Sequence, residues 1–216
     1  MPKPRVDLYT LRPLFLGNLD SDMALDETQN SSSVRLRPGA RIGVVASTYH
    51  GELIDAMVRA ARKELEAAGL APKDLIVLSA PGAFELPLVA RELARREDID
   101  AVIAFGLVLK GETEHDRHIS RAVAHACMDI GFQTGTPALF GVLTCNTVEQ
   151  ARARALSVEE GGIQNKGREV ARACLEVLRG LDLARNLPTS GTRFSRMGDA
   201  ESVTVFDTTK DQDDLS

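Results

Sequence analysis

The sequence predicts an α/β protein, a three-layer sandwich in which a four-stranded parallel sheet is flanked by helices on both faces. Two observations predict it. Four near-continuous apolar runs, "RIGVVAS" (41–47), "DLIVLSA" (74–80), "AVIAFGLVL" (101–109) and "ALFGVLT" (138–144), have the length and composition of strands. The segments between them carry the 3.6-residue period of amphipathic helices. Strands that are apolar throughout belong to a sheet covered on both faces. Their alternation with helices makes the pairing parallel and the crossovers right-handed.

Each element has its own signal. After the first strand, Leu53, Ile54, Met57, Val58, Ala61, Leu65 and Ala68 keep a helical spacing until Gly69 stops it. "FELPLVARELARRE" (84–97) follows the second strand as a helix, with Pro87 tolerable only in its first turn. "ISRAVAHACMDIGF" (119–132) follows the third. After the fourth strand, Thr147 offers an N-cap with Gln150 three residues on, the spacing of a capping box. It opens a short helix, "VEQARARAL" (148–156), and "KGREVARACLEVLRGL" (166–181) closes the core. These elements predict one domain over 39–187. It is preceded by a Pro-, Asp- and Ser-rich extension, 1–38, and followed by a polar, acidic tail, 188–216, both expected to be flexible.

Composition narrows the function. Thirty-one acidic residues against twenty-six basic ones leave a formal charge of −5, and Lys and Arg are dispersed, so no footprint for nucleic acid is present. No apolar run is long enough to span a bilayer. The start, "MPKPRVDLYTLRPLF", lacks the apolar core and small-residue exit of a secretory signal, so a cytoplasmic protein is expected. Cys127, Cys145 and Cys174 lie far apart among apolar neighbours. They read as buried, reduced thiols rather than as disulfides or zinc ligands.

In parallel sheets, ligands bind beyond the carboxyl ends of the strands, so the residues there matter most. Ser47 to Gly51 follow the first strand and include Tyr49 and His50; Pro81 to Glu85 follow the second; Lys110 to His118 follow the third; Thr144 to Thr147 follow the fourth. The turn Gly111-Glu112-Thr113 presents amides at a helix start, which is either an ordinary capped start or an anion site. His115 follows within one turn, and an imidazole there suits proton transfer near neutral pH. His118 makes a His-x-x-His pair with it, but no third metal ligand lies near, so no metal is expected and His118 reads as helix surface.

Four blocks, "PGAFELP" (81–87), "GETEH" (111–115), "FGVLTCNTVEQARARA" (140–155) and "NKG" (165–167), occur in an order and spacing that resembles the 6,7-dimethyl-8-ribityllumazine synthase family. The resemblance runs from about Arg41 to Arg185 and implies a flavodoxin-like fold. It also implies a cofactor-independent transferase of riboflavin biosynthesis. Such an enzyme condenses 5-amino-6-(D-ribitylamino)uracil with 3,4-dihydroxy-2-butanone 4-phosphate, losing phosphate and two waters. Much of that catalysis comes from holding two reactants together.

The resemblance assigns roles by position. His115 is implied as the acid/base residue. Glu112 and Thr113 match the phosphate-binding turn and Arg154 the arginine that completes it, a planar fork suited to phosphate. Tyr49 matches the ring that stacks on the pyrimidine. Ala83, Phe84 and Glu85 match the ribityl-binding turn, with Glu85 accepting from hydroxyls. Val108 and Leu109 match the strand end beside the pyrimidine, Phe140 a wall from a neighbouring subunit, and Lys166 a pyrimidine-contacting lysine. In the family Phe140, Arg154 and Lys166 come from the adjacent protomer, so assembly is a condition of activity. The implied partners are therefore small-molecule substrates and further copies of this chain, with "SVRLRP" (33–38) implied as an extended strand on a neighbour's sheet edge.

Departures from the family pattern fall in three places. Tyr49 and Lys110 stand for the usual Phe or Trp and Arg, and Asp116-Arg117-His118 replaces an aromatic, an acid and another aromatic after the histidine. Asp116, if close to His115, would favour the imidazolium. The link "ALSVEEGGIQN" (155–165) is longer than in shell-forming members, which leads us to expect a pentamer, or a decamer of two, over a sixty-subunit shell. The alternative function is a non-catalytic relative that binds flavin or lumazine, or a scaffold. His115, Arg154, Glu85 and Lys166 together argue against it. A generic nucleotide-binding domain of the same fold is a third reading, and it lacks a dinucleotide glycine fingerprint.

Overall fold

The computed structural model describes residues 34–187, and beyond them only the backbone of two short strands, Thr192–Phe194 and Thr204–Phe206, which pair antiparallel. Most of the expected N-terminal extension and of the C-terminal tail lies outside the described residues. Residues 34–37 carry no sheet ladder within the chain, and Leu36 donates its N–H to the carbonyl of Ala68 at 2.9 Å.

The core alternates strand and helix. In chain order it runs β1 (Ile42–Ser47), α1 (Gly51–Ala67), β2 (Leu75–Ala80), α2 (Leu86–Ala94), β3 (Ala101–Leu109), α3 (His115–Thr134), β4 (Ala138–Cys145), α4 (Val148–Ala155) and α5 (Lys166–Arg185). The four strands form one sheet in the order β2-β1-β3-β4, and every pair is parallel. The chain winds from β1 outward to β2, then crosses over to β3 and outward to β4. The two halves diverge between β1 and β3, and that divergence opens a crevice at the carboxyl edge.

Alternate side chains of the central strands feed two cores. On one face Ile42, Val44, Ile103 and Phe105 pack with Leu53, Ile54, Met57 and Leu65 of α1, Ala151 of α4, and Ala171 and Cys174 of α5. On the other, Val45, Val102, Ala104 and Val108 pack with Leu86, Ala90 and Leu93 of α2, and Val123, Cys127 and Ile130 of α3. The helical period of α1 ends where the sequence predicts, with Gly69 at φ +102° just beyond the last turn. Pro87 sits in the first turn of α2.

Three details differ from the sequence-based expectation. The helix after the third strand begins at His115, one turn before the apolar period that signals it, because its first turn is exposed and polar. The reciprocal bond at the start of α4 is displaced by one residue. Gln150 N–H donates to Thr147 Oγ1 at 3.3 Å, but Gln150 Oε1 accepts from the N–H of Asn146, at 2.9 Å. The edge strand β2 is not covered on both faces, since Val77 and Leu78 stay 39% and 40% exposed in the single chain. Among the described residues no helix is long and apolar enough to cross a membrane.

Candidate active site

At the carboxyl edge, where the winding diverges, the chain lines an open cavity of about 880 Å³. Its floor is the end of β3, Leu107, Val108 and Leu109. One wall is the turn after β1, with Tyr49 and His50. Another is the turn before α2, from Gly82 to Glu85. The third is the start of α3, with His115, His118, Ile119 and Ala122. Mostly apolar walls with few polar groups are what a small organic ligand requires.

Each wall is fixed by local bonds. Thr48 ties the first turn to the second, with its N–H donating to Ala80 O at 2.8 Å and its hydroxyl to Pro81 O at 3.0 Å. His50 has φ +58°, the sole non-glycine residue at positive φ among those described. Its ring meets that of Tyr49 edge-on at 5.5 Å, so one face of Tyr49 stays open; the residue is 71% exposed. Phe84, 60% exposed, offers a second open ring. Gly106, beneath the cavity, is dictated by packing, because a Cβ there would lie 2.8 Å from Leu86 Cδ1.

The turn before α3 bears on the anion question. The His115 N–H reaches Thr113 Oγ1 at 3.4 Å, and Lys110 N–H is taken by Cys145 O at 2.9 Å. Among the described residues the amides of Gly111, Glu112 and Thr113 meet no acceptor, which leaves them available at the positive end of a twenty-residue helix. Glu114 is turned away, paired with Arg117 at 2.9 Å. Asp116 lies off the cavity wall, and its carbonyl accepts from Ser120 Oγ at 2.5 Å.

The cavity thus joins seven of the residues singled out from the sequence: Tyr49, Ala83, Phe84, Glu85, Val108, Leu109 and His115. Glu112 and Thr113 lie next to it along the chain. Phe140, Arg154 and Lys166 do not line it. Phe140 is 37% exposed on the edge strand β4. Arg154 belongs to α4, which packs on the opposite face of the sheet, close enough to the end of β4 to act on Cys145, whose thiol burial pushes up and Arg154 pulls partly back. Lys166 opens α5 on that same face, paired with Glu169 at 2.6 Å.

Sequence reading missed part of the wall. His118 is exposed, as its helix-surface pattern predicts, and it also lines the cavity. The spacing 115, 118, 119, 122 is one stripe of a helix, so the signal was present but had no apolar period to flag it. His50 had been noted only as the neighbour of Tyr49. Among the described residues no cluster of His, Cys, Asp and Glu could hold a metal ion.

A doubly wound sheet with an apolar cavity at its divergence, a histidine at a helix start and unpaired amides beside it define a small-molecule enzyme site of the open α/β class. A sequence model of the 6,7-dimethyl-8-ribityllumazine synthase family matches residues 39–182. The protein of that name from Rhodopirellula baltica is 42% identical over 142 residues, covering 66% of this chain and 89% of its own length. One from Caulobacter vibrioides, named 6,7-dimethyl-8-ribityllumazine synthase 1, is 43% identical over 141 residues, 65% of this chain and 90% of its own. One from Protochlamydia amoebophila is 35% identical over 156 residues, 71% and 88%. The chain belongs to the 6,7-dimethyl-8-ribityllumazine synthase family.

Proposed function

We propose that this protein is a working lumazine synthase, a transferase of riboflavin biosynthesis that joins 5-amino-6-(D-ribitylamino)uracil to 3,4-dihydroxy-2-butanone 4-phosphate. The observation that carries this reading is the cavity itself: two open aromatic faces, the Glu85 carboxylate and the His115 imidazole share its walls at the winding divergence. Tyr49 stacks on the pyrimidine and Glu85 accepts from the ribityl hydroxyls. The phosphate of the second substrate lies on the amides of Gly111 to Thr113, beside His115.

The chemistry uses these residues in sequence. The pyrimidine's amine attacks the ketone, and His115 moves the proton from nitrogen to the carbinol oxygen that leaves as water. Phosphate departs by elimination from its cradle, and the second nitrogen closes the ring with loss of the second water. The reaction needs no redox partner. Proximity supplies most of the acceleration and His115 a smaller share.

Arg154, Phe140 and Lys166 complete the site from a neighbouring subunit in this reading, which is supported by their positions away from the cavity of their own chain. The half-exposed apolar edge at Val77 and Leu78 supports an oligomer too, since a bare edge strand calls for cover. We favour a pentamer or a decamer. The link between α4 and α5 folds back on α4 through Ile163 and Gln164, whose N–H groups both donate to Ala153 O, at 2.7 and 2.9 Å. A Ser157–Glu160 capping box fixes its other end, leaving Val158 and Ile163 outward. Three buried free thiols support a reducing, cytoplasmic setting.

Incubating the purified full chain with both substrates tests the function. Fluorescent lumazine should form with one phosphate released for each product; a protein that binds the pyrimidine yet releases no phosphate would favour the binding-protein alternative.

A further inference from the structure

The cavity's polar side chains are few, and their hydrogen-bonding capacities are unequal. Glu85 as a carboxylate only accepts. A polyhydroxyl chain laid against it can donate to it, but each hydroxyl oxygen also has lone pairs that need a donor once water is displaced. Tyr49 and His50 stand on the β1 side, ring edge to ring at 5.5 Å. His115 stands at the very start of α3, beside the amides of the preceding turn.

His118 is the polar group left over. It lies three residues, about 4.5 Å of helix rise, further along α3 than His115, on the stripe it shares with Ile119 and Ala122. Helices α2 and α3 pack on the same face of the sheet, and both begin at its carboxyl edge. The first turn of α3, which carries His118, therefore lies on the side of the turn that carries Glu85. A neutral imidazole offers one donor and one acceptor, the complement of an acceptor-only carboxylate. No other role engages it: among the described residues no hydrogen bond or ion pair forms at the His118 side chain, and no metal-binding cluster includes it.

We propose that His118 is a substrate-contacting residue that hydrogen-bonds the polyol side chain of the pyrimidine opposite Glu85, and so makes the cavity select a polyhydroxyl substituent over a plain alkyl one. This rests on the reading that the cavity takes the ribityl-bearing pyrimidine. Asp116 and Arg117, the two residues before it, have no part in the contact. One lies off the wall and the other is paired with Glu114.

The test uses fluorescence titration of the full chain with two ligands, 6,7-dimethyl-8-ribityllumazine and its analogue carrying methyl in place of the polyol. Wild type should prefer the polyol ligand. His118→Phe, which keeps a ring but no donor, should weaken that ligand by about tenfold and the methyl analogue by less than about twofold. His118→Gln, with a donor and an acceptor restored, should recover most of the loss. Equal weakening of both ligands by His118→Phe, or of neither, would overturn the inference while leaving the functional reading intact. A wild type that binds neither lumazine would overturn both.

Discussion

His115 occupies the first position of a helix whose dipole and unpaired amides favour a negative charge beside it, so in the proposed function one short turn serves both proton transfer and phosphate departure. Replacing it with alanine should lower kcat by roughly ten- to a hundredfold, because positioning by the remaining walls persists. Arg154→Ala should act differently, raising KM for the phosphate-bearing substrate by about tenfold or more through loss of a bidentate partner. Steady-state kinetics with each substrate varied in turn separates the two outcomes, and an unchanged KM in the arginine variant would remove Arg154 from the phosphate site. That His115, Glu85 and Tyr49 would share one cavity was legible because short motifs carry them at strand ends. His118 was not, because a lone polar residue in an exposed first turn has no neighbours in sequence that reveal which way it faces. Asp116 attracted notice for its place beside His115, yet residues adjacent on a helix point about 100° apart.

The strands and helices were legible for a simpler reason: buried parallel strands read as unbroken apolar runs, and their helices keep one apolar stripe. What escaped was set by contacts distant in sequence. Helices α1 and α5 meet so closely that a Cβ on Gly167 would lie 2.2 Å from Met57 O, a backbone contact that no rotamer relieves. Gly167→Ala should cost about 1–3 kcal/mol in urea unfolding, through forced separation of the two helices. The same pair is clamped by Glu64, which accepts from Arg172 at 2.7 Å and Arg168 at 3.1 Å. Burial alone would raise the Glu64 carboxyl, but the two guanidiniums bring it net below its ordinary value. A depressed folded value means stabilisation that is present above the unfolded value and lost as pH falls through the folded one. Glu64→Gln should therefore be less stable than wild type by about 1 kcal/mol or less near neutral pH, with the gap closing in acid as pH falls through the depressed folded value. A gap that persists in acid would mean packing, not charge, is what Glu64 supplies.

At the scale of the whole molecule, the single chain holds a cavity that Arg154, proposed for its phosphate site, does not line, because α4 packs on the opposite face of the sheet. That arrangement makes sense if each cavity is completed by a neighbour, and a closed cyclic assembly would repeat the same Arg154–His115 pairing at every interface of the proposed site. Light scattering should give the mass of five or ten chains; a mass near sixty would overturn the inference drawn from the α4–α5 link. The sequence could suggest this arrangement only through family resemblance, since periodicity shows which residues are buried in a chain but not which await a partner. Two impaired variants, assayed with the phosphate-bearing substrate well below its raised KM, test it most directly. His115→Ala and Arg154→Ala oligomers, each deficient alone, should regain turnover when the two chains are co-expressed and co-assembled, because about a quarter of the shared sites in a random one-to-one mixture carry both native residues. Activity in the mixed oligomers no higher than the average of the two parents would contradict a site built between subunits.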